Sequence, residues 1–229
     1  EKNLQNYFKV KHAITVNSWT SGLICCVGAT GVKPGDEAIV TSWTMSATVI
    51  SLLHWNVIPV FVDIDQNTFN IDPKKIEKKI NPRTKLIVVA DIFGNPANYK
   101  EILKIAKKNK LKVISDAAQA PGIKYNNKFA GTMADIGGIS LNYHKHIQTG
   151  EGGVVFTNNN ELAEKVKMLR NHGENIVSSK NDKFLNNMLG FNFRMNEIEA
   201  AIGIEQLKKL KKILKKKQSL SIKLSKNLK

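Results

Sequence analysis

Cysteine is nearly missing from this chain of 229 residues. Its two thiols, Cys25 and Cys26, are neighbours that cannot easily bridge each other, and one pair of thiols makes no disulfide framework. They stand in an apolar stretch and read as buried packing groups. Also missing is any apolar run long enough to cross a bilayer, so no membrane span is expected. No signal-peptide pattern opens the sequence, which makes a cytoplasmic protein the expectation. Neither nucleotide fingerprint occurs: there is no G-x-G-x-x-G and no G-x-x-x-x-G-K-[ST]. That counts against a dinucleotide-dependent oxidoreductase and against a P-loop NTPase. No nearby Cys, Asp or Glu completes a ligand set around His144 and His146, so no metal site is expected.

Acidic residues are scarce. The chain has 19 Asp+Glu against 35 Lys+Arg, a formal net charge of +16. Such a balance is compatible with nucleic acid, but the lysines are spread along the chain and thickest near its end. No zinc-ligand spacing or RNP-like aromatic strand accompanies them, and nucleic-acid binding is not expected.

What is present is an ordinary hydrophobic fraction of 42% in a chain long enough for one large α/β domain. Short apolar runs at Glu37–Val40, Pro59–Val62, Leu86–Val89, Lys112–Ser115, Ile136–Leu141 and Val154–Phe156 read as buried strands. Helix-like stretches lie between several of them. Leu162, Val166 and Leu169 share one helix face, and Asp72-Pro73 opens a helix with an N-cap and a proline at the first helical position. Pro34-Gly35-Asp36 is a turn feeding a strand. Repeated βα units predict a mainly parallel sheet with helices on both faces. Residues Asn171–Leu189 are polar and aperiodic and read as a loop. From about Met195 a long Lys-rich helix is expected, with Ala200, Gly203, Ile204, Leu207, Leu210 and Leu214 as its apolar stripe.

In an open α/β sheet, ligands bind beyond the carboxyl ends of the strands. That singles out Asp91 after Leu86–Ala90, Asp116 after Lys112–Ser115, and Ser140 and Asn142 at the end of the Ile136 strand. Lys145 follows, just before Thr149-Gly150-Glu151-Gly152-Gly153. Taken singly each has a plainer reading: a solvated lysine, or a carboxylate capping a turn. Ser18 and Thr20 precede a helix expected to start near Ser21. They read as N-cap residues or as part of an anion site at a helix N-terminus.

Several stretches together resemble the DegT/StrS family of pyridoxal-phosphate (PLP)-dependent nucleotide-sugar aminotransferases. They are Val16-Asn17-Ser18-Trp19-Thr20-Ser21-Gly22, Lys33-Pro34-Gly35-Asp36-Glu37 and Pro59-Val60-Phe61-Val62-Asp63-Ile64-Asp65. Next come Ser115-Asp116-Ala117-Ala118-Gln119-Ala120 and Ser140-Leu141-Asn142-Tyr143-His144-Lys145-His146, which runs into the TGEGG block. Arg170-Asn171-His172-Gly173 and Gly190-Phe191-Asn192-Phe193-Arg194-Met195-Asn196-Glu197 complete the set. The match runs nearly end to end in family order.

The resemblance implies the large domain of a PLP-transferase of fold type I. It implies a PLP-binding α/β unit over residues 1–194, then a helix over 195–229 leading to a smaller C-terminal domain that this chain lacks. It also implies roles. Lys145 would hold the cofactor covalently and Asp116 would keep its pyridine nitrogen protonated. Gln119 would lie by the ring and its phenolic oxygen. Ser18, Thr20 and Ser140 would bind its phosphate. Met45 stands where an aromatic ring usually stacks on the cofactor, with Trp43 offset by two positions. Asn192 would reach the phosphate of a neighbouring subunit, making a homodimer with shared active sites. The implied substrates are an amino-acid donor, glutamate or glutamine, and a nucleotide-linked keto sugar. Two further departures stand out: Trp19 replaces a small residue, often glycine, and Asp91 replaces a common histidine. A sugar dehydratase of the same family is an alternative, although that branch typically has histidine where Lys145 stands. A non-catalytic or regulatory protein is another.

Overall fold

The computed structural model describes residues 1–174 and 189–228. Its centre is a seven-stranded sheet. In chain order the strands are β1 (His12–Val16), β2 (Glu37–Val40), β3 (Ile58–Phe61), β4 (Thr84–Ala90) and β5 (Lys112–Asp116). A small hairpin follows, β6 (Lys124–Tyr125) with β7 (Lys128–Phe129), then β8 (Ile136–Ser140) and β9 (Gly153–Thr157). The spatial order in the main sheet is β1-β9-β8-β5-β4-β2-β3. Strands β3, β2, β4, β5 and β8 run parallel, while β9 is antiparallel to both β8 and β1.

Side chains alternate across the sheet, so each strand feeds two cores. Ala38, Val40, Leu86, Val88, Ile114, Ile136 and Val155 share one cluster with helices α2 (Trp19–Ala29), α3 (Ser46–Leu53) and α6 (Asn160–Arg170). The predicted stripe Leu162, Val166 and Leu169 is the buried face of α6. Ile39, Ile87, Val89, Val113, Ile139 and Phe156 point the other way. They meet Phe8 of α1 (Lys2–Phe8), Ile76 of α4 (Pro73–Ile76), Ile102 of α5 (Tyr99–Lys108) and Leu207 and Leu210 of α7 (Glu197–Asn227). A sheet buried on both faces explains why its strands read as continuous apolar runs.

Local chemistry sets the helix starts. Asp72 accepts from the Lys74 amide, with Pro73 at the first helical position. Asn196 and Glu199 form a reciprocal capping box that opens α7. Of the predicted stripe on α7, Leu207 and Leu210 are buried, Leu214 packs partly against the same cluster, and Ile204 is 47% exposed. Cys25 and Cys26 are fully buried in α2, and burial pushes the Cys25 thiol up to about 12, so both are inert packing groups.

Three features differ from the sequence reading. Strand β1 was not anticipated; it is a short segment stabilised by pairing with β9, more than a hundred residues away in sequence. The direction of β9 carries no local signal. Helix α2 begins at Trp19 instead of near Ser21, because the Ser18 hydroxyl caps the Ser21 amide and draws Trp19 and Thr20 into the first turn. Most of the expected Asn171–Leu189 loop, residues 175–188, lies outside the described residues.

Leu210 is fully buried where α7 meets the sheet. Leu210→Ala is expected to lower stability by about 2–5 kcal/mol, read as a lower urea midpoint with an unchanged far-UV spectrum.

Candidate active site

The five parallel strands point their carboxyl ends in one direction, and the registers align the ends of β4 and β5 beside the middle of β8. Ala90 pairs with Asp116, and Asp116 with Gly138. Above this row opens a cavity of about 240 Å³. Ser18, Thr20, Met45, Asp116, Gln119, Ser140 and Lys145 all line it. These residues come from four separate segments of the chain, and the fold brings them together.

One wall is the N-terminus of α2. The Ser18 hydroxyl accepts the Ser21 amide and keeps its own hydrogen to donate, and the first intrahelical bond runs from Gly22 to the Ser18 carbonyl. The amides of Trp19 and Thr20 precede that bond, so this turn can receive an anion through free N–H groups. Ser140, buried at the end of β8, adds a hydroxyl from the opposite side.

Asp116 forms the floor. It is 6% exposed, yet both carboxylate oxygens are satisfied. Oδ1 accepts from the Trp19 indole Nε1 at 2.7 Å and from the Ala118 amide at 3.2 Å, and Oδ2 accepts from the Thr48 hydroxyl at 2.7 Å. The contributions of Trp19 and Thr48 were not foreseen. An indole buried inside a helix carries no sequence sign of its partner, and Thr48 is one of three hydroxyl residues in α3.

Lys145 enters from the turn after β8, where its amide bonds to the Asn142 carbonyl. Asn142 in turn bonds to Glu151, and Thr149 closes the loop onto the Glu151 carbonyl. Gly150 sits at φ +87°, the left-handed region that glycine adopts without strain, and this reverses the chain into β9. Lys145 is half-buried. Desolvation lowers its pKa from the ordinary lysine value, partly opposed by the Asp116 carboxylate. The result is an amine brought closer to its nucleophilic form.

Gln119 is oriented by the backbone: its Oε1 accepts the Phe93 amide at 2.8 Å. Its NH₂ group is therefore left as the donor. Met45 is the N-cap residue of α3 and is 66% exposed at the cavity rim. Trp43 turns away from the cavity into a cluster with Phe69 and Phe93. Asn192 lies outside the cavity; it is exposed, bridges to Asn171, and accepts the Asn17 amide through its carbonyl.

Asp91 also lines the cavity but is 1% exposed. It accepts from the Ala97 amide at 2.9 Å and from the Tyr99 hydroxyl at 3.1 Å, while Tyr99 and Ser115 are 2.5 Å apart. Burial pushes its carboxyl up to about 7, with the nearby Asp116 charge adding to the shift.

Over residues 1–229 the sequence matches the DegT/DnrJ/EryC1/StrS aminotransferase family. The chain belongs to this family. It is 40% identical over 210 residues to the GDP-perosamine synthase of Caulobacter vibrioides, covering 92% of this chain and 56% of that one. The structure of NtdA from Bacillus subtilis with bound cofactor PMP superposes with a TM-score of 0.84 at 37% identity, covering 92% of this chain and 47% of that one. A GDP-4-keto-6-deoxymannose-3-dehydratase with a trapped PLP-glutamate adduct superposes at 0.83 with 34% identity, covering 92% and 59%. The chain thus spans little more than half the length of the curated relatives it matches. The family depends on PLP, and the fold is that of the type I enzymes, as the sequence resemblance implied.

The cavity's donor set fits that cofactor. It offers a helix N-terminus and hydroxyls for a phosphate, an amide donor for a phenolic oxygen, a carboxylate for a ring nitrogen, and a half-buried amine for an aldehyde.

The buried Asp91 sets a pH dependence. Below about pH 4 the carboxyl is protonated both folded and unfolded. As pH rises from there to about 7, the unfolded chain has released this proton while the folded chain still holds it. Stability therefore falls through that window and levels above it. Asp91→Asn is expected to flatten this dependence and to raise the urea midpoint at pH 8 relative to the parent. An unchanged midpoint difference between pH 5 and pH 8 would show that Asp91 is not held protonated.

Proposed function

We propose that this chain carries the cofactor-binding machinery of a sugar aminotransferase, moving an amino group from an amino acid, glutamate or glutamine, to a keto group of a nucleotide-linked sugar. The observation that carries the reading is the convergence of Lys145 and Asp116 on one cavity beside the N-terminus of α2. PLP, when bound, supplies the electron sink that lets an amino group leave one carbon and enter another.

The chain's own residues would act as follows. Ser18, Thr20 and Ser140, with the first amides of α2, hold the phosphate dianion. Asp116, already held by neutral donors on both oxygens, would stabilise positive charge on the ring nitrogen through its remaining acceptor capacity. Gln119 donates its NH₂ to the phenolic oxygen. Lys145 Nζ, with its lowered pKa, can anchor the aldehyde. As a free amine it would be placed to take a proton from the donor's Cα and to return it. Met45 covers one end of the cavity as a flexible thioether. The exposed Asn192, outside this cavity, suits a contribution to the site of a second copy in a homodimer.

A dehydratase reading draws on the likeness to the GDP-4-keto-6-deoxymannose-3-dehydratase structure. The amine at position 145 favours transfer, since it gives the cofactor a covalent anchor and returns the proton that transamination requires.

Incubation with PLP followed by borohydride reduction is expected to fix one label on Lys145, located by mass spectrometry of the digest. Lys145→Ala is expected to bind the cofactor without a label and to lose roughly 10²–10⁴-fold in amino transfer. A label on another lysine rejects the assignment.

A further inference from the structure

Trp19 lines the cavity, and the proposed function leaves it without a task. It is 5% exposed, its ring is packed against the sheet, and its indole N–H points at the carboxylate on the cavity floor. We propose that Trp19, with Thr48, is a positioning residue for Asp116. The two side chains clamp the carboxylate so that a single acceptor site stays open toward the cofactor ring. This rests on the reading of Asp116 given above.

The argument is one of acceptor stoichiometry. A carboxylate offers about four lone-pair sites. Trp19 Nε1 and the Ala118 amide occupy Oδ1, and the Thr48 hydroxyl occupies one site on Oδ2. One site remains, on Oδ2. A protonated ring nitrogen carries one N–H, so the open capacity matches a single donor. Thr48 is itself held: its hydroxyl lies 2.9 Å from that of Thr44, so Thr44 can donate to Thr48 while Thr48 donates to Asp116. Bonds to an ionised acceptor are short and directional, and both clamps at 2.7 Å meet that description. Without them the carboxylate could rotate about its Cβ–Cγ bond and present a variable edge to the ring.

The indole's seat is built into the surrounding chain. A side chain at Gly22, one turn further along α2, would come within 2.7 Å of Trp19 Cε3. A side chain at Gly138, beside Asp116 in the sheet, would run into the six-membered part of the ring. A Cβ at Gly153, on β9, would come within 2.8 Å of the Trp19 backbone. A tryptophan that merely filled space would need the glycines at positions 22 and 138. It would not need its one polar atom aimed at a buried carboxylate.

Two measurements separate the clamp from the site reading. In ¹⁵N-labelled protein without cofactor, the three tryptophans give three indole resonances, assigned with Trp19→Phe or, if that variant does not fold, by elimination with Trp43→Phe and Trp55→Phe. The Trp19 indole proton is expected downfield and is expected to move upfield in Asp116→Asn. No movement overturns the clamp. In the PLP-loaded protein, single turnover with L-glutamate as the probe donor is expected to slow roughly ten- to a hundred-fold in Trp19→Phe and in Thr48→Val. The apparent Kd for glutamate is expected to stay within about two-fold. A shifted Kd with an unchanged limiting rate overturns the positioning role. An unchanged rate in Asp116→Asn instead overturns the assignment of Asp116, and with it the basis of the clamp.

Discussion

Asp116 is placed by backbone hydrogen bonding before any side chain acts on it. It is the last residue of β5, held on one side by β4 and on the other by β8, with Ala90, Asp116 and Gly138 side by side. Because side chains alternate along a strand, this register decides which of two polar neighbours faces the cavity. Asp116 points toward α2 and α3, whereas Ser115 points to the opposite face and bonds with Tyr99 and the Gly131 amide. A slip of one residue would exchange them and put a hydroxyl where a charge is needed. Five parallel strands buried on both faces resist such a slip, since it would also turn Val113 and Ile114 into the wrong clusters.

Two carboxylates end adjacent strands here, and the chain treats them differently. Asp116 accepts from an indole, a hydroxyl and an amide, with the Lys145 amine nearby. Asp91 is deeper and has a pKa raised to about 7. Two bare charges so close would repel, and the cheapest arrangement leaves the more buried group protonated for much of the pH range. The large net charge of the chain has little part in this. The lysines that produce it are mostly on outer helix faces, while the positive elements at the cavity are one amine and one helix N-terminus.

Much of this was legible in the sequence because the signals were local. Buried parallel strands announce themselves as short apolar runs, and the observed strands depart from those runs by a residue or two at the ends. Asp72-Pro73 marks a helix start through a bond that spans only two residues. The residues expected at the cavity were found from motif order, and seven of the eight expected cofactor-binding residues line it, with Asn192 outside. What could not be read depends on partners distant in the chain. β1 is a strand because β9 runs beside it, and Thr48 matters because a residue 68 positions later ends its strand opposite it. The start of α2 was misplaced for a subtler reason: two hydroxyl residues, Ser18 and Thr20, both qualify as caps, and only the bond to the Ser21 amide chooses between them.

Trp19 shows how one unusual residue is absorbed. In the sequence it is a departure, a bulky ring where the family usually keeps a small residue. In the fold its bulk is taken up by the absence of side chains at positions 22 and 138, and its N–H by the buried Asp116 carboxyl. Both conditions must hold together. A ring with no room would force the first turn of α2 away from the cavity, and with it Ser18 and Thr20. A ring with room but no acceptor would bury an unsatisfied N–H, which costs on the order of 1–3 kcal/mol. The same helix turn therefore has two jobs that pull in one direction: its backbone faces the cavity as a seat for an anion, and its first side chain reaches beneath to hold the carboxylate. Position 19 thus ties the geometry of the first turn of α2 to that of Asp116.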